Sequence, residues 1–288
     1  MTAAAPTHPA SLTQQEAEER AALVQVRRYD IAVDLTGLLE GDTAESVSTI
    51  AFACSSPGAS TFVDCVAEVR QATLNGQPLD LATVADGRIP LTGLAAENVL
   101  VVASAQSDTR SSAGILRTVD PSDKLVYVWM SFEADDARRV WACFDQPDLK
   151  APHAFTVTAP ESWTVTSNVS PDDVSPANDE AARVWTFPDT PPLSTYVVVI
   201  NAGPFYELRR ETGGYSLGLY SRQSTRAFLD RDADELFDLT ARGLAFFGER
   251  FGQRFPQERY DQVFVPNMGG AMENWGCVTW TDAVLFRT

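Results

Sequence analysis

Hydrophobic residues fall along this chain in short clusters separated by polar turns, with one long stretch of helical periodicity near its end. Segments rich in Val, Ile, Thr and aromatic side chains recur at residues 26–35, 48–53, 61–69, 99–104 and 155–159 and predict short strands. Between them lie the turn signals Gly41-Asp42, Asn75-Gly76, Asp86-Gly87 and Pro160. Such spacing, roughly 8 to 12 residues, predicts a β-sandwich extending to about residue 203. Two runs are apolar almost without interruption, residues 125–132 and 196–200, which implies burial on both faces. Thr13-Gln14-Gln15-Glu16 fits a capping box and opens a short helix reaching about Val24.

The texture changes after Gly203-Pro204. A hairpin-like stretch runs to Tyr220, and the only long helical pattern follows at residues 225–252. There Leu229, Ala233, Leu236, Leu239, Ala241, Leu244 and Phe247 recur at steps of three and four. Gly252 stands where a C-terminal cap would, and Pro256 forbids continuation. Two further strands, 260–265 and 277–286, are joined by a Gly-rich link. The expected organisation is therefore a flexible tail at 1–12, a β-sandwich domain at 13–203 and an α+β unit opening at 204–288. No internal repeat is present. Thr288 follows Val-Leu-Phe-Arg with no cap or closing helix, so the second unit is expected to begin here without finishing.

Composition narrows the partners. The 288 residues carry 22 Lys plus Arg against 39 Asp plus Glu, a net charge of −17, with 44% hydrophobic residues. That balance repels phosphate backbones and argues against nucleic acid. No apolar run approaches the roughly 18 residues that span a bilayer. The first ten residues lack the positive charge and apolar core of a secretory signal, so a cytoplasmic address and no membrane partner are expected.

Only two histidines occur, His8 and His153, too few for a His-Glu-x-x-His zinc site. Cys54, Cys65, Cys143 and Cys277 form no Cys-x-x-Cys pair and read as free thiols. A metal centre built from these cysteines and His153 has no ligand-like spacing.

The Gly-rich link contains Gly270-Ala271-Met272-Glu273-Asn274. A chance match to one chosen pentapeptide is roughly one in three million per position. Residues 132–160 add an acidic residue, Glu133, followed by Asp-Ala-Arg, then Cys-Phe-Asp-x-Pro and Lys-Ala. With these two stretches, and with Asn201-Ala202-Gly203-Pro204, the chain resembles the M1 (gluzincin) family of zinc aminopeptidases over nearly its whole length, in the family's order. The resemblance implies a saddle-like β domain packed on the opening part of a thermolysin-like catalytic domain, with the free N-terminus of a peptide held between them.

An exopeptidase must prefer a terminal ammonium to an internal amide. Carboxylates supply that preference through charge-assisted hydrogen bonds worth about 1.5–3 kcal/mol each. Glu133 and Glu273 are the candidates. A bland reading of Glu133 remains beside this one, a strand-end carboxylate facing water or paired with Arg138 or Arg139. Gly270 and Ala271 carry over from the family as main-chain contacts to an extended substrate. Met272 and Asn274 complete the motif, although a methionine is more often core filler. Many members have Gln two residues before the acidic residue, and this chain has the shorter Ser131 there. Many also have a larger residue than Gly269 before the motif's glycine. Asp145 and Pro147 read as architectural.

The family's zinc-binding helix, its distant Glu ligand and its later Tyr are not in these residues, so no catalytic or metal-ligating residue is assigned. Two readings stand open. One is the N-terminal part of a cytoplasmic zinc aminopeptidase, inactive alone, whose partners are peptides with a free N-terminus and the remainder of its catalytic domain. The other is a non-catalytic β-sandwich module that uses the pentapeptide as a peptide-binding edge.

Overall fold

The computed structural model describes residues 11–107, 109, 113–178 and 181–286. The expected N-terminal tail, with His8, lies outside the described residues except for positions 11 and 12. The described chain is mainly β, in several sheets, with two α-helices. Neither helix is long and apolar enough to cross a membrane.

The capping box forms as expected. Glu16 N donates to Thr13 Oγ1 at 3.2 Å while Thr13 N donates to Glu16 Oε2 at 2.9 Å, opening the helix Gln14–Leu23. What fixes this helix is not an apolar stripe. Its buried residue is Arg20, whose Nη1 lies 2.6 Å from Asp64 Oδ2 and whose Nε donates to Gln146 Oε1 at 2.9 Å. The Phe62 and Phe144 rings cover the guanidinium.

Strand Val24–Asp34 begins as the helix ends and is the hub of an eight-stranded sheet. It pairs antiparallel with Ala44–Cys54 and parallel with His153–Pro160. Asn75-Gly76 and Asp86-Gly87 both turn with positive φ at each residue, the hand that two-residue hairpin loops require. The predicted strand at 61–69 is really two, Thr61–Asp64 in a small two-stranded sheet and Glu68–Leu74 in the large one. Asp64 at the break is committed to Arg20 and to the Asp145 backbone, so the chain leaves one sheet there for another.

Strand Val126–Ser131 lies in a four-stranded sheet between Gly114–Val119 and Ile200–Gly203. Its apolar continuity has the anticipated cause. Val126, Val128 and Met130, with Phe132 just beyond, point into the main core, while Tyr127 and Trp129 point into a second core with Phe205, Tyr220, Val263 and Val265. The run at 196–200 divides likewise, Val198 and Ile200 to one side and Val199 to the other.

Beyond residue 203 the hairpin Tyr206–Thr212 and Tyr215–Ser221 leads through the helix Arg226–Phe251 to strand Arg259–Val265, parallel to Tyr215–Ser221. Cys277–Thr281 continues this five-stranded sheet in parallel, and the short strand Ala271–Met272 closes its edge antiparallel. The predicted strand at 277–286 stops at Thr281 and turns into a 3-10 segment, where Asp282 binds Arg222 at 2.5 Å. Along the helix, Leu229, Ala233 and Phe237 are buried, whereas Leu239 and Phe247 of the expected stripe are exposed.

His153 is fully buried and stacks on Tyr29 at 4.6 Å, with neither ring nitrogen partnered. Burial pushes its pKa down to about 3, so the folded protein holds it neutral while the unfolded chain protonates near 6.5. Stability present above pH 6.5 is therefore lost as pH falls from there toward 3, by up to about 1.4 kcal/mol per pH unit. His153→Phe should remove this component. In paired urea titrations from pH 7.5 to 4.5, the parent should lose stability relative to the variant; a constant difference would contradict the assignment.

Candidate functional site

A cavity of about 250 Å3 opens where the four-stranded sheet faces the edge of the five-stranded one. One wall comes from Leu116, Trp129, Ser131 and Glu133, the other from Asn267, Met268, Gly269, Ala271 and Met272. Trp129, Ser131 and Glu133 stand at alternate positions at and just past a strand end, so they share a face. Met272 is buried and Ala271 exposed.

The sequence puts Glu133 at the end of an apolar run that implies burial on both faces. The strand is doubly buried, but Glu133 itself lies one residue past Phe132 and is exposed at the cavity. Nearby acidic residues are neutralised: Asp135 pairs with Arg138 at 2.7 Å, and Asp136 pairs with Arg139. Arg138 is buried. Among the described residues Glu133 has no ion-pair or hydrogen-bond partner, and Glu273 has none either. Glu273 follows Met272 directly and is exposed, but it does not bound the cavity.

Gly270 does not line the cavity. Its φ of +135° is what selects glycine, since nothing lies within 4 Å of where a Cβ would sit. Its carbonyl accepts from Thr281 N at 2.7 Å and sets the register in which Ala271 faces Trp280 and Met272 faces Thr279. Asn274 is also turned inward, 1% exposed, with Nδ2 donating to Val198 O at 3.3 Å and Oδ1 accepting from Thr279 Oγ1 at 3.2 Å.

The two walls are joined at both ends. Arg222 donates to Asp120 Oδ2 at 2.6 Å and to Asp282 Oδ2 at 2.5 Å, and Tyr127 Oη accepts from Gln223 N at 2.9 Å. Burial works against ionisation of Asp120, but hydrogen bonds from Ser224 and from the Ser122 backbone, with the Arg222 charge, hold its pKa below the usual value. At the other end Asn168 Nδ2 donates to Val197 O at 3.0 Å and to Trp275 O at 2.8 Å, while Trp275 N donates to Val197 O at 3.3 Å.

Leu116, Trp129 and Asn267 were not singled out by sequence reasoning. Trp129 carried a legible signal, its two-residue steps to Ser131 and Glu133; Leu116 and Asn267 reach the cavity only through sheet pairing and loop path. Among the described residues no three His, Cys, Asp or Glu side chains group to hold a metal ion, and the four cysteines are each buried. Zinc therefore has no fitted seat in the described part of this chain.

Residues 102–197 match the Peptidase M1 N-terminal domain. The chain is 44% identical over 96% of its length to Aminopeptidase N of Streptomyces lividans, covering 32% of that protein. It is 30% identical over 56% of its length to Aminopeptidase N of Mus musculus, covering 17% of it. It is 34% identical over 51% of its length to Aminopeptidase 2, mitochondrial, of Saccharomyces cerevisiae, covering 15%. The chain thus spans a third or less of the length of these relatives.

The backbone geometry separates two adjacent glycines. Gly270→Ala should cost about 1–3 kcal/mol, because alanine resists the conformation required there. Gly269→Ala, whose added methyl meets open space, should stay within about 0.5 kcal/mol. Urea unfolding of both variants decides it; equal losses would show that φ is not what selects Gly270.

Proposed function

We propose, for a chain that belongs to the M1 peptidase family as an aminopeptidase N-type N-terminal portion, that it forms the amine-recognition half of a zinc-dependent aminopeptidase. The observation that carries the reading is the shared cavity. Glu133, just past a strand of one sheet, and Gly269, Ala271 and Met272, at the edge of another, bound the same space, and the Glu133 carboxylate has no ion-pair partner among the described residues.

In this reading a peptide's terminal ammonium supplies the missing cation for Glu133, and Glu273, exposed next to the cavity-lining Met272, is the second candidate carboxylate. Each charge-assisted bond favours a free amine over an internal amide. Ala271, on the edge strand Ala271–Met272, presents main chain to an extended peptide, which would add to the sheet edge. The apolar walls, Leu116, Trp129, Met268 and Met272, would meet the first side chain, with Ser131 the polar group between them.

The zinc, with the general base that activates its water, belongs to sequence outside this chain, and when bound it supplies Lewis-acid activation. The surface left bare fits such a remainder. A groove of about 510 Å3 between the long helix and the sheet is lined by Leu236, Leu239, Leu244, Phe247, Phe264 and Trp280. Phe251 nearby is 77% exposed. Apolar surface of this kind is what further catalytic-domain elements would cover.

The test uses the longer protein. Glu133→Gln and Glu273→Gln should each lower kcat/KM for aminoacyl anilides by about ten- to a hundredfold. The 288-residue chain by itself should show no turnover. Unchanged kinetics in both variants would reject amine anchoring. Activity with stoichiometric zinc in the short chain would reject the division of the site.

A further inference from the structure

We infer that Asp145 is a positioning residue for amine recognition: its carboxylate braces, with one oxygen each, the turn that follows Glu133 and the segment that meets the residues after Glu273, and it braces them firmly only while ionised. The inference rests on the amine-anchoring reading above. Asp145 is 2% exposed and does not line the cavity, so it does not reach a bound peptide. Its Oδ2 accepts from Arg138 N at 3.0 Å, in the 3-10 turn Ala137–Arg139. Asp136 N donates to Phe132 O at 3.0 Å, so the turn that carries Glu133 runs directly into the braced segment. The other oxygen, Oδ1, accepts from Thr195 Oγ1 at 2.6 Å. Two residues further on, Val197 O accepts from Trp275 N at 3.3 Å, and Trp275 stands two residues after Glu273. One buried carboxylate is thus bonded toward both of the carboxylates proposed to hold the amine.

The groups that face Asp145 leave it free to change charge near neutral pH. Asp64 accepts from the Asp145 backbone N at 3.0 Å and is itself paired with Arg20 at 2.6 Å. The Arg138 guanidinium is paired with Asp135 at 2.7 Å. Burial pushes the Cys143 thiol and the Tyr29 hydroxyl up, so both stay neutral. Burial also pushes the Asp145 carboxyl up to about 7, against the Thr195 and Arg138 hydrogen bonds that favour its ionised form. Protonation makes both bonds neutral ones of roughly half the strength, and Arg138 N, a donor only, cannot accept the new O–H. Amine affinity should therefore fall about three- to tenfold as the pH drops through 7. Linkage makes the effect reciprocal. An amine that prefers the ionised form lowers the pH at which Asp145 titrates by the logarithm of the same factor, about 0.5–1 pH unit.

The experiment follows the Asp145 carboxyl carbon of the full chain by nuclear magnetic resonance from about pH 5 to 8, alone and saturated with trialanine amide or its N-acetylated form. The free amine should lower the titration midpoint by about 0.5–1 pH unit, and the acetylated peptide should leave it in place. Thr195→Val, which removes one brace, should largely abolish the movement, and Thr195→Ser, which keeps the hydroxyl, should retain it. A midpoint unmoved by the free amine would overturn the inference and leave Asp145 purely structural. Equal movement in Thr195→Val and the parent would overturn it too, since the amine would then act on Asp145 through its charge alone. Should Thr195→Val not fold, the parent's midpoint with the two peptides decides. Glu133→Gln and Glu273→Gln separate the two levels. If they abolish the preference for the free amine over the acetylated peptide and the Asp145 midpoint of the parent does not respond, only the positioning role fails. If the parent has no preference, or the glutamate variants retain it, the amine-anchoring reading fails and takes this one with it.

Discussion

The structure depends on a strand with no free face. Residues Val126–Ser131 alternate between two cores, Val126, Val128 and Met130 on one side and Tyr127 and Trp129 on the other. Slipping a strand by one residue exchanges its faces, and here the exchange would drive Trp129 into the space of a valine. Removing a buried tryptophan side chain alone costs about 3–5 kcal/mol, a large part of the total stability of a domain. The register is therefore fixed, and so is the point at which Ser131 and Glu133 leave the core. Exposure of Glu133 follows from the burial of everything before it.

Apolar packing fixes the register but not the angle between the sheets, since it has no direction. Direction comes from buried polar groups placed at the two ends of the contact. At one end the Arg222 guanidinium spans Asp120 and Asp282, and at the other Asn168, Asn201 and Asn274 are each at most 2% exposed and bonded across the junction. Each such bond nets only about 1 kcal/mol, but leaving one unmade in the interior costs more, so they specify geometry more than they add stability. The helix Gln14–Leu23 obeys the same logic. Arg20 holds it to Asp64 at one place and one rotation, which a smooth apolar stripe would not do.

These two kinds of force also explain what could be read from the amino acids. Two-sided burial was legible in the unbroken apolar run at 125–132, as were the capping box at Thr13 and Glu16 and the helix ending near Gly252, because each is written in local residues. The break at Asp64 was not, because it depends on Arg20, forty-four positions away. The end of the last strand at Thr281 depends on Arg222 in the same manner. For the candidate site, the motifs pointed to Glu133 and residues 270–274, of which Glu133, Ala271 and Met272 bound the cavity. The inward turn of Asn274 was invisible, since an asparagine that grips the protein and one that grips a ligand look alike in sequence. The stripe on the long helix was read correctly in period, but Leu239 and Phe247 of that stripe are exposed among the described residues.

Charge placement argues in the same direction as geometry. The chain carries −17, yet around the cavity the carboxylates beside Glu133 have been matched, Asp135 with Arg138 and Asp136 with Arg139. Stability alone would favour an arginine for Glu133 only weakly, since exposed pairs contribute about 0–1 kcal/mol. An incoming ammonium meets a different balance. It would enter beside Trp129 and Met272, where water is partly displaced and the attraction to a carboxylate exceeds its value in bulk solvent. Leaving that carboxylate unmatched costs the fold almost nothing while hydrated and, in the proposed reading, leaves its attraction for the cation of a peptide's N-terminus. The arrangement thus separates the charges that hold the two walls, which are buried and paired, from the charge that faces the cavity, which is exposed and without a partner among the described residues.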